Sequence, residues 1–311
     1  MHETEHEKCR PVCEKRRRPR RVMISILLLC VLLLAGYAVL RYFAQQPIPL
    51  FQGGDIQTTE PAMPSYTDNW GTEPGGYLGE QSDMLAELEE RAKTDTRVES
   101  ILQRIDAYPV PILELALKNG DAVDFAAAYP EHKDEAVNAG DIDLSGDYGL
   151  GTIPLLIQWD SRWGYGAYGS NLMGLAGCGP TCLSMAVVGL TGNLEANPLA
   201  VAEYSAAQGW YVEGHGTDWE LMRSGAEQYG LSWEELPLDV GTMCGRLDAG
   251  EVIIASMLPG DFTDTGHFIV IAGYDENGFR VLDPNSYTRS GERWSYDTLH
   301  GQIGNLWAYW A

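Results

Sequence analysis

The chain has 311 residues, 45% of them hydrophobic, enough for two globular domains. Its 21 Lys+Arg against 44 Asp+Glu give a net charge of −23, which excludes nucleic acid as a partner, because that binding needs a basic footprint. The charge is unevenly placed: residues 1–21 carry a net +4, so everything after Arg21 sums to −27, an acidic surface that serves solubility through self-repulsion.

At the N-terminus, His2, His6, Cys9 and Cys13 match no common zinc spacing, and no metal is expected there. The basic run KRRRPRR over 15–21 then meets residues 22–40 (VMISILLLCVLLLAGYAVL), which carry no charge. As a helix this stretch is ~28 Å long, close to the thickness of a bilayer's hydrocarbon core. Arg41 is the only basic residue before Arg91, so the positive-inside rule keeps the N-terminus cytoplasmic and exports the rest. A cleaved signal peptide is the rival reading. Its apolar region is shorter, about 7–15 residues, and needs a small-x-small site, for which only Gly36/Ala38 qualifies. A lipoprotein is disfavoured because Leu29 precedes Cys30 where a small residue is wanted. We therefore read 22–40 as an uncleaved single-pass membrane anchor with an extracellular C-terminal portion.

Residues 41–82 are rich in Pro, Gly, Thr and Gln without an apolar period, as a flexible linker is. From Asp83 the runs MLAELEERA and RVESILQRIDA space apolar residues by three and four, as amphipathic helices do. A third helix is expected over 111–118, ended by Asn119-Gly120, and a fourth over 122–128. This region, 83–140, holds no His/Cys/Asp cluster and reads as a helical spacer or prodomain-like cap. The DIDLSGD run over 141–147 begins like an EF-hand loop. Its twelfth position is Thr152, where a bidentate Glu is required, so it reads as an acidic linker.

Residues 150–311 read as a mixed α+β domain. An apolar helix covers 180–190, and Asn197 caps a helix that opens with Pro198 and runs to Ala207. Thr217 with Glu220 forms a capping box for a helix to Tyr229. Strands are expected at 252–257, 267–274, 279–283 and 306–310, the second and third joined by a turn at 275–278.

The chemistry concentrates at Gly177-Cys178-Gly179-Pro180-Thr181-Cys182. Cys178 lies just before a helix, where N–H groups and the positive end of the dipole favour a thiolate. Cys182, one turn further in beside Met185 and Ala186, is buried and inert. Four histidines, His132, His215, His267 and His300, are candidate bases. His267 opens a strand and is expected at a sheet edge facing the helix start. His215 and His300 read as surface residues. Asp283 ends the partner strand of the same hairpin, so it can orient the imidazole as the third member of a triad.

Beyond these residues, the chain from about Ile153 resembles the C39-like cysteine peptidases, a papain-like group common in Gram-positive bacteria. The matching pieces are Gln158-Trp159-Asp160, Trp163-Gly164, Tyr168-Gly169, Gly177-Cys178-Gly179-Pro180-Thr181, Thr265-Gly266-His267-Phe268 and Leu282-Asp283-Pro284-Asn285. The resemblance implies a Cys-bearing helix packed on an antiparallel sheet that carries His and Asp. It also implies that Gln158 donates its amide to an oxyanion hole together with the Cys178 N–H. The catalytic set expected is Cys178, His267, Asp283 and Gln158, with no cofactor and no metal. The better-known members are exporter domains that cut leader peptides after a double glycine. This chain has neither a nucleotide-binding motif nor transporter helices, so coupling to export does not carry over.

Three activities share these residues: a thiol peptidase on a secreted or surface peptide, an endopeptidase or amidase on cell-wall peptides, and a silent peptide-binding module. All four positions being filled counts against silence. Trp159, Trp163, Tyr165 and Tyr168 suit either a peptide groove or a core. Cys182 and Cys244 either pair, leaving Cys178 free, or all three stay reduced. No sequence signal sets an oligomeric state.

Overall fold

Four helices come first among the described residues: α1 (Gln81–Ala92), α2 (Thr96–Leu102), α3 (Val110–Lys118) and α4 (Val123–His132). In the computed structural model residues 81–311 are described, all within one compact unit. The expected anchor at 22–40, the expected linker up to residue 80 and the His2/His6/Cys9/Cys13 tail lie outside the described residues, whereas Gln81 and Ser82, expected in the linker, open α1. Among the described residues no helix is long and apolar enough to cross a membrane.

The helix boundaries are set by their caps. Asp95 accepts from the Arg97 N–H at 3.0 Å to start α2, and Pro111 sits in the first turn of α3, where its missing N–H costs nothing. Asn119 ends α3 and caps the next short turn by accepting from the Asp121 N–H at 3.1 Å. α4 runs past the expected end at Ala128 to His132 and takes in Pro130. A proline so close to the C-terminus removes a single helical bond, so the last turn survives it.

These helices pack Leu88, Val98, Ile101, Ile112, Leu113 and Ala126 into a core that also takes in Ile157, Trp159 and Tyr165 from the region beyond residue 150. Phe125 stacks on Tyr165 at 4.3 Å, and the Tyr165 hydroxyl donates to the Phe125 carbonyl. The helical segment is thus joined to the C-terminal α+β region by shared apolar packing, where a spacer would stand apart.

The remainder is a six-stranded antiparallel sheet with helices on both faces. Its strands are β1 (Ser232–Glu235), β2 (Val252–Met257), β3 (His267–Asp275), β4 (Gly278–Leu282), β5 (Arg293–Trp294) and β6 (Ile303–Trp310). Their order across the sheet is β1-β6-β2-β3-β4-β5. Alternation sorts the side chains. Val252, Ile254, Phe268, Val270, Leu282 and Trp307 face a core shared with α5 (Cys178–Thr191) and α6 (Pro198–Ala207). Ile253, Ala255, Ile269, Ile271 and Val281 face the opposite core, which takes in Met243 of α7 (Val240–Asp248).

α6 forms as expected, with Asn197 accepting from the Ala200 N–H at 3.0 Å. The expected capping box does not form. Asp218 is the cap of a 3₁₀ turn over Trp219–Met222, succeeded by a single α-turn over Ser224–Gln228. Thr217 instead lies in a two-stranded hairpin, its hydroxyl 3.0 Å from that of Tyr168. The acidic 141–147 loop is closed by a cation from the chain itself. Arg162 donates to both carboxylate oxygens of Asp147 (2.7 and 3.1 Å), to both of Asp160 and to the Asp143 carbonyl.

Candidate active site

Cys178 is the first residue of α5, which starts two residues before the expected 180. Pro180 needs no hydrogen bond in the first turn, so the helix reaches back to Gly177 without a side-chain cap. Both glycines beside Cys178 are imposed by close approach. A Cβ on Gly177 would stand 2.5 Å from the Met173 carbonyl oxygen, and one on Gly179 2.6 Å from Thr217 Oγ1. The whole run from Gly179 to Val188 is buried, which fixes the helix in the middle of the fold and leaves half-buried Cys178 at its open end. Cys182 is fully buried, and burial pushes its thiol pKa well above the ordinary value. All three described cysteines are free: Cys182 packs on one face of the sheet and Cys244 on the other, so they do not pair.

His267 opens β3. This strand is interior, between β2 and β4, so the residue lies at a strand end and not at a sheet edge. β4 ends at Leu282, paired with Val270 of β3, so Asp283 follows directly on the strand beside His267's own. The two side chains meet just beyond that pairing, His267 Nε2 donating to Asp283 Oδ1 at 2.8 Å. His267 is 7% exposed and Asp283 not at all.

Burial alone would lower the His267 pKa, yet the Asp283 charge, with a smaller contribution from Cys178 beside the ring, raises it well above the ordinary imidazole value. Burial likewise works against the Asp283 carboxylate, and the charges of His267 and Arg289 overcome it, holding the carboxyl below its usual range. With Nε2 committed to Asp283, the other ring nitrogen is the one left for Cys178.

Asp283 has more partners than the sequence suggested. Its Oδ1 also accepts from the Asn285 N–H at 2.7 Å, and its Oδ2 from Arg289 Nε at 2.5 Å. Its own N–H donates to Ser290 Oγ at 2.8 Å. These bonds compensate a buried charge that one histidine would leave under-solvated. Asn285 lies within the Asp-Pro-Asn motif, whereas nothing in the sequence marked Arg289 or Ser290.

Gln158 is 3% exposed. Its main-chain N–H donates to the Pro284 carbonyl at 2.7 Å, tying it to the residue after Asp283. Its Nε2 donates to the Gly174 carbonyl at 2.9 Å. An acceptor there fixes the amide's orientation, leaving the second N–H of Nε2 uncommitted by that bond. Gly174 lies in the helical turn Met173–Ala176 that leads into Cys178, so the amide lies beside that approach. Its Oε1 is buried without a hydrogen-bond partner among the described residues.

The aromatic residues near Gln158 are core, not groove. Trp163, Tyr165, Tyr168 and Trp159 are all buried. Trp163 Nε1 donates to the Ile157 carbonyl, and Trp159 Nε1 to Asn285 Oδ1 at 3.1 Å. His215 and His300 are exposed, and His132 pairs with Glu135 and stacks on Tyr165. Among the described residues no cluster could hold a metal ion.

Residues 151–311 match the family described as the Peptidase_C39 like family. No curated protein matches the chain. Among solved structures, it is similar to the peptidase domain of Streptococcus ComA, described as a bi-functional ABC transporter involved in a quorum sensing pathway. That similarity has 18% identity, covers 43% of this chain and 89% of the other, and has a TM-score of 0.34. A putative C39-like peptidase from Bacillus anthracis is similar at 14% identity over 52% of this chain and 96% of the other, with a TM-score of 0.34.

Proposed function

The chain belongs to the Peptidase_C39 like family, a family of cysteine peptidases, and on that premise we propose that it is a thiol peptidase acting through Cys178, His267, Asp283 and Gln158. The observation that carries this reading is the buried His267–Asp283 pair at 2.8 Å, with Cys178 on the remaining side of the ring.

In this mechanism the Cys178 sulfur attacks the scissile carbonyl, its proton having passed to His267. The oxyanion that forms accepts from the Cys178 main-chain N–H and from the free N–H of the Gln158 amide, a donor worth ~3 kcal/mol in such sites. The C–N bond breaks as His267 returns the proton to the leaving amine, and a thioester remains on Cys178. Water then attacks the thioester while His267 takes its proton. The acid product leaves and the thiol is restored. Asp283 stays ionised throughout and holds the ring in the tautomer and orientation both proton transfers need. The arrangement is papain-like, with no cofactor in any step.

The proposal extends to place. Residues 22–40 anchor the chain in the cell membrane, N-terminus inside, and the site works on a peptide or protein outside. The support is the charge-free span and the basic run before it. Mass spectrometry of peptides released from surface proteins and wall fragments tests the activity. The reading requires products that appear with wild type and vanish with Cys178→Ser. Identical products from both proteins would sink it, and release confined to wall cross-bridges would favour a cell-wall endopeptidase.

A further inference from the structure

We propose that Asp121, together with Asn119, is a positioning residue for Asp283: the turn between α3 and α4 holds the loop that aims the catalytic carboxylate. The inference rests on the triad reading above and gives the helical segment a part in that site.

Every partner of Asp283 other than His267 sits on one short stretch, 285–290. Asn285, Arg289 and Ser290 contact the carboxylate or its main chain. Ser286 closes the stretch on itself: its N–H donates to the Asp283 carbonyl, its Oγ accepts from the Arg289 N–H, and its carbonyl accepts from Ser290 Oγ. The residue that fixes this stretch comes from 165 positions away in sequence. Asp121 Oδ2 accepts from Ser286 Oγ and from the Thr288 N–H, both at 2.9 Å, and Oδ1 accepts from Thr288 Oγ1 at 3.1 Å. Asn119 Nδ2 donates to the Asn285 carbonyl at 2.5 Å and to its Oδ1 at 3.1 Å.

Three donors on one carboxylate make Asp121 a staple and not a surface charge. Burial raises its pKa, and the Thr288 N–H and the two hydroxyls more than offset that, so it is held below the usual carboxylate range. Trp159 and the Gln158 N–H grip the same loop at Asn285 and Pro284, Trp159 sharing Asn285 Oδ1 with Asn119. The loop is thus held by two parts of the chain, and its hold at Ser286 and Thr288 comes from Asp121 of the helical segment. Slack in it lets the Asp283 carboxylate drift from the imidazole, and small displacements of catalytic groups are costly.

The test uses the full chain in detergent and tracks alkylation of Cys178 by iodoacetamide, read at the Cys178 peptide by mass spectrometry, as a function of pH. The groups that set the His267 titration are Asp283 and Cys178, with Arg289 and Cys182 facing Asp283. In wild type the profile carries a step above neutrality that His267→Ala abolishes. In Asp121→Ala that step moves to lower pH and the rate at pH 7 falls about ten-fold. Asp121→Asn, which still offers an acceptor to Thr288, recovers most of it. Asp95→Ala removes a helix cap elsewhere in the same segment and leaves the step in place. The proposal is overturned if Asp121→Ala keeps the wild-type profile. It is also overturned if Asp121→Ala and Asp95→Ala lose rate in parallel with Tm and without movement of the step. A wild type that already matches His267→Ala removes the triad reading and the proposal with it.

Discussion

Asp283 and Arg289, six residues apart, are joined at 2.5 Å on the side of the carboxylate away from His267. That bond gives the buried carboxylate a second cation, so its charge does not depend on the protonation state of the imidazole. The consequence is a pair whose two members shift in opposite directions, His267 up and Asp283 down.

Those directions set the pH dependence of stability. A raised His267 pKa contributes stability fully present below about pH 6.5, its unfolded value, and lost as pH rises through the folded value. A lowered Asp283 pKa contributes stability present above about pH 3.9 and lost as pH falls through the folded value. The stability gap between wild type and His267→Gln, measured by urea unfolding, should be widest near about pH 5–6 and narrow towards alkaline pH. Asp283→Asn removes the larger of the two influences that oppose burial, leaving only Cys178, so the His267 titration should move to lower pH. Truncating one member of such a buried pair should cost about 3–5 kcal/mol.

Gln158→Ala removes the proposed oxyanion donor, along with a buried side chain and its bond to the Gly174 carbonyl. On a peptide substrate kcat should fall about 10²–10³-fold with KM nearly unchanged. A rise in KM at constant kcat would assign Gln158 to ground-state binding.

The glycines beside Cys178 differ in what an added methyl meets. Gly177→Ala collides with a main-chain carbonyl that no rotamer can move, whereas Gly179→Ala meets a threonine side chain. Overpacking of this kind costs about 1–3 kcal/mol. The larger loss, read from urea midpoints, should belong to Gly177→Ala.

Arg162 occupies the acidic loop that resembles a calcium site at its start. Millimolar calcium should therefore leave the wild-type Tm unchanged. Arg162→Met removes the counter-charge facing Asp143, Asp147 and Asp160, and should lower stability by about 1 kcal/mol, a partly exposed network being screened by solvent.

The sequence made the reactive half of the site legible and its support illegible, for physical reasons. Cys178 stood out because a cysteine between glycines ahead of a proline-started helix has few structural uses. His267 and Asp283 were reachable because Asp275–Gly278 is a recognisable turn and strand pairing is a local rule. Gln158 came only through family resemblance, since its partners Gly174 and Pro284 lie in segments without periodicity. Asn119 was legible only as a helix end, and Asp121 and Arg289 gave no signal. Asn119 and Asp121 belong to a helical segment far along the chain from the loop they hold, 165 residues in the case of Asp121 and Ser286, and a tertiary contact of that kind leaves no local pattern. The short edge strand β5 was missed because two residues carry no period. α7 was missed because four of its nine residues are Gly, Thr or Cys, weak helix formers that tertiary packing overrides.

The central claim is that His267 activates Cys178, and labelling of Cys178 by a thiol-reactive probe at neutral pH, in wild type and in His267→Ala, tests it most directly. The account predicts rapid labelling of wild type that is lost in His267→Ala while the variant remains folded. Labelling of Cys178 at the same rate in both proteins would contradict it.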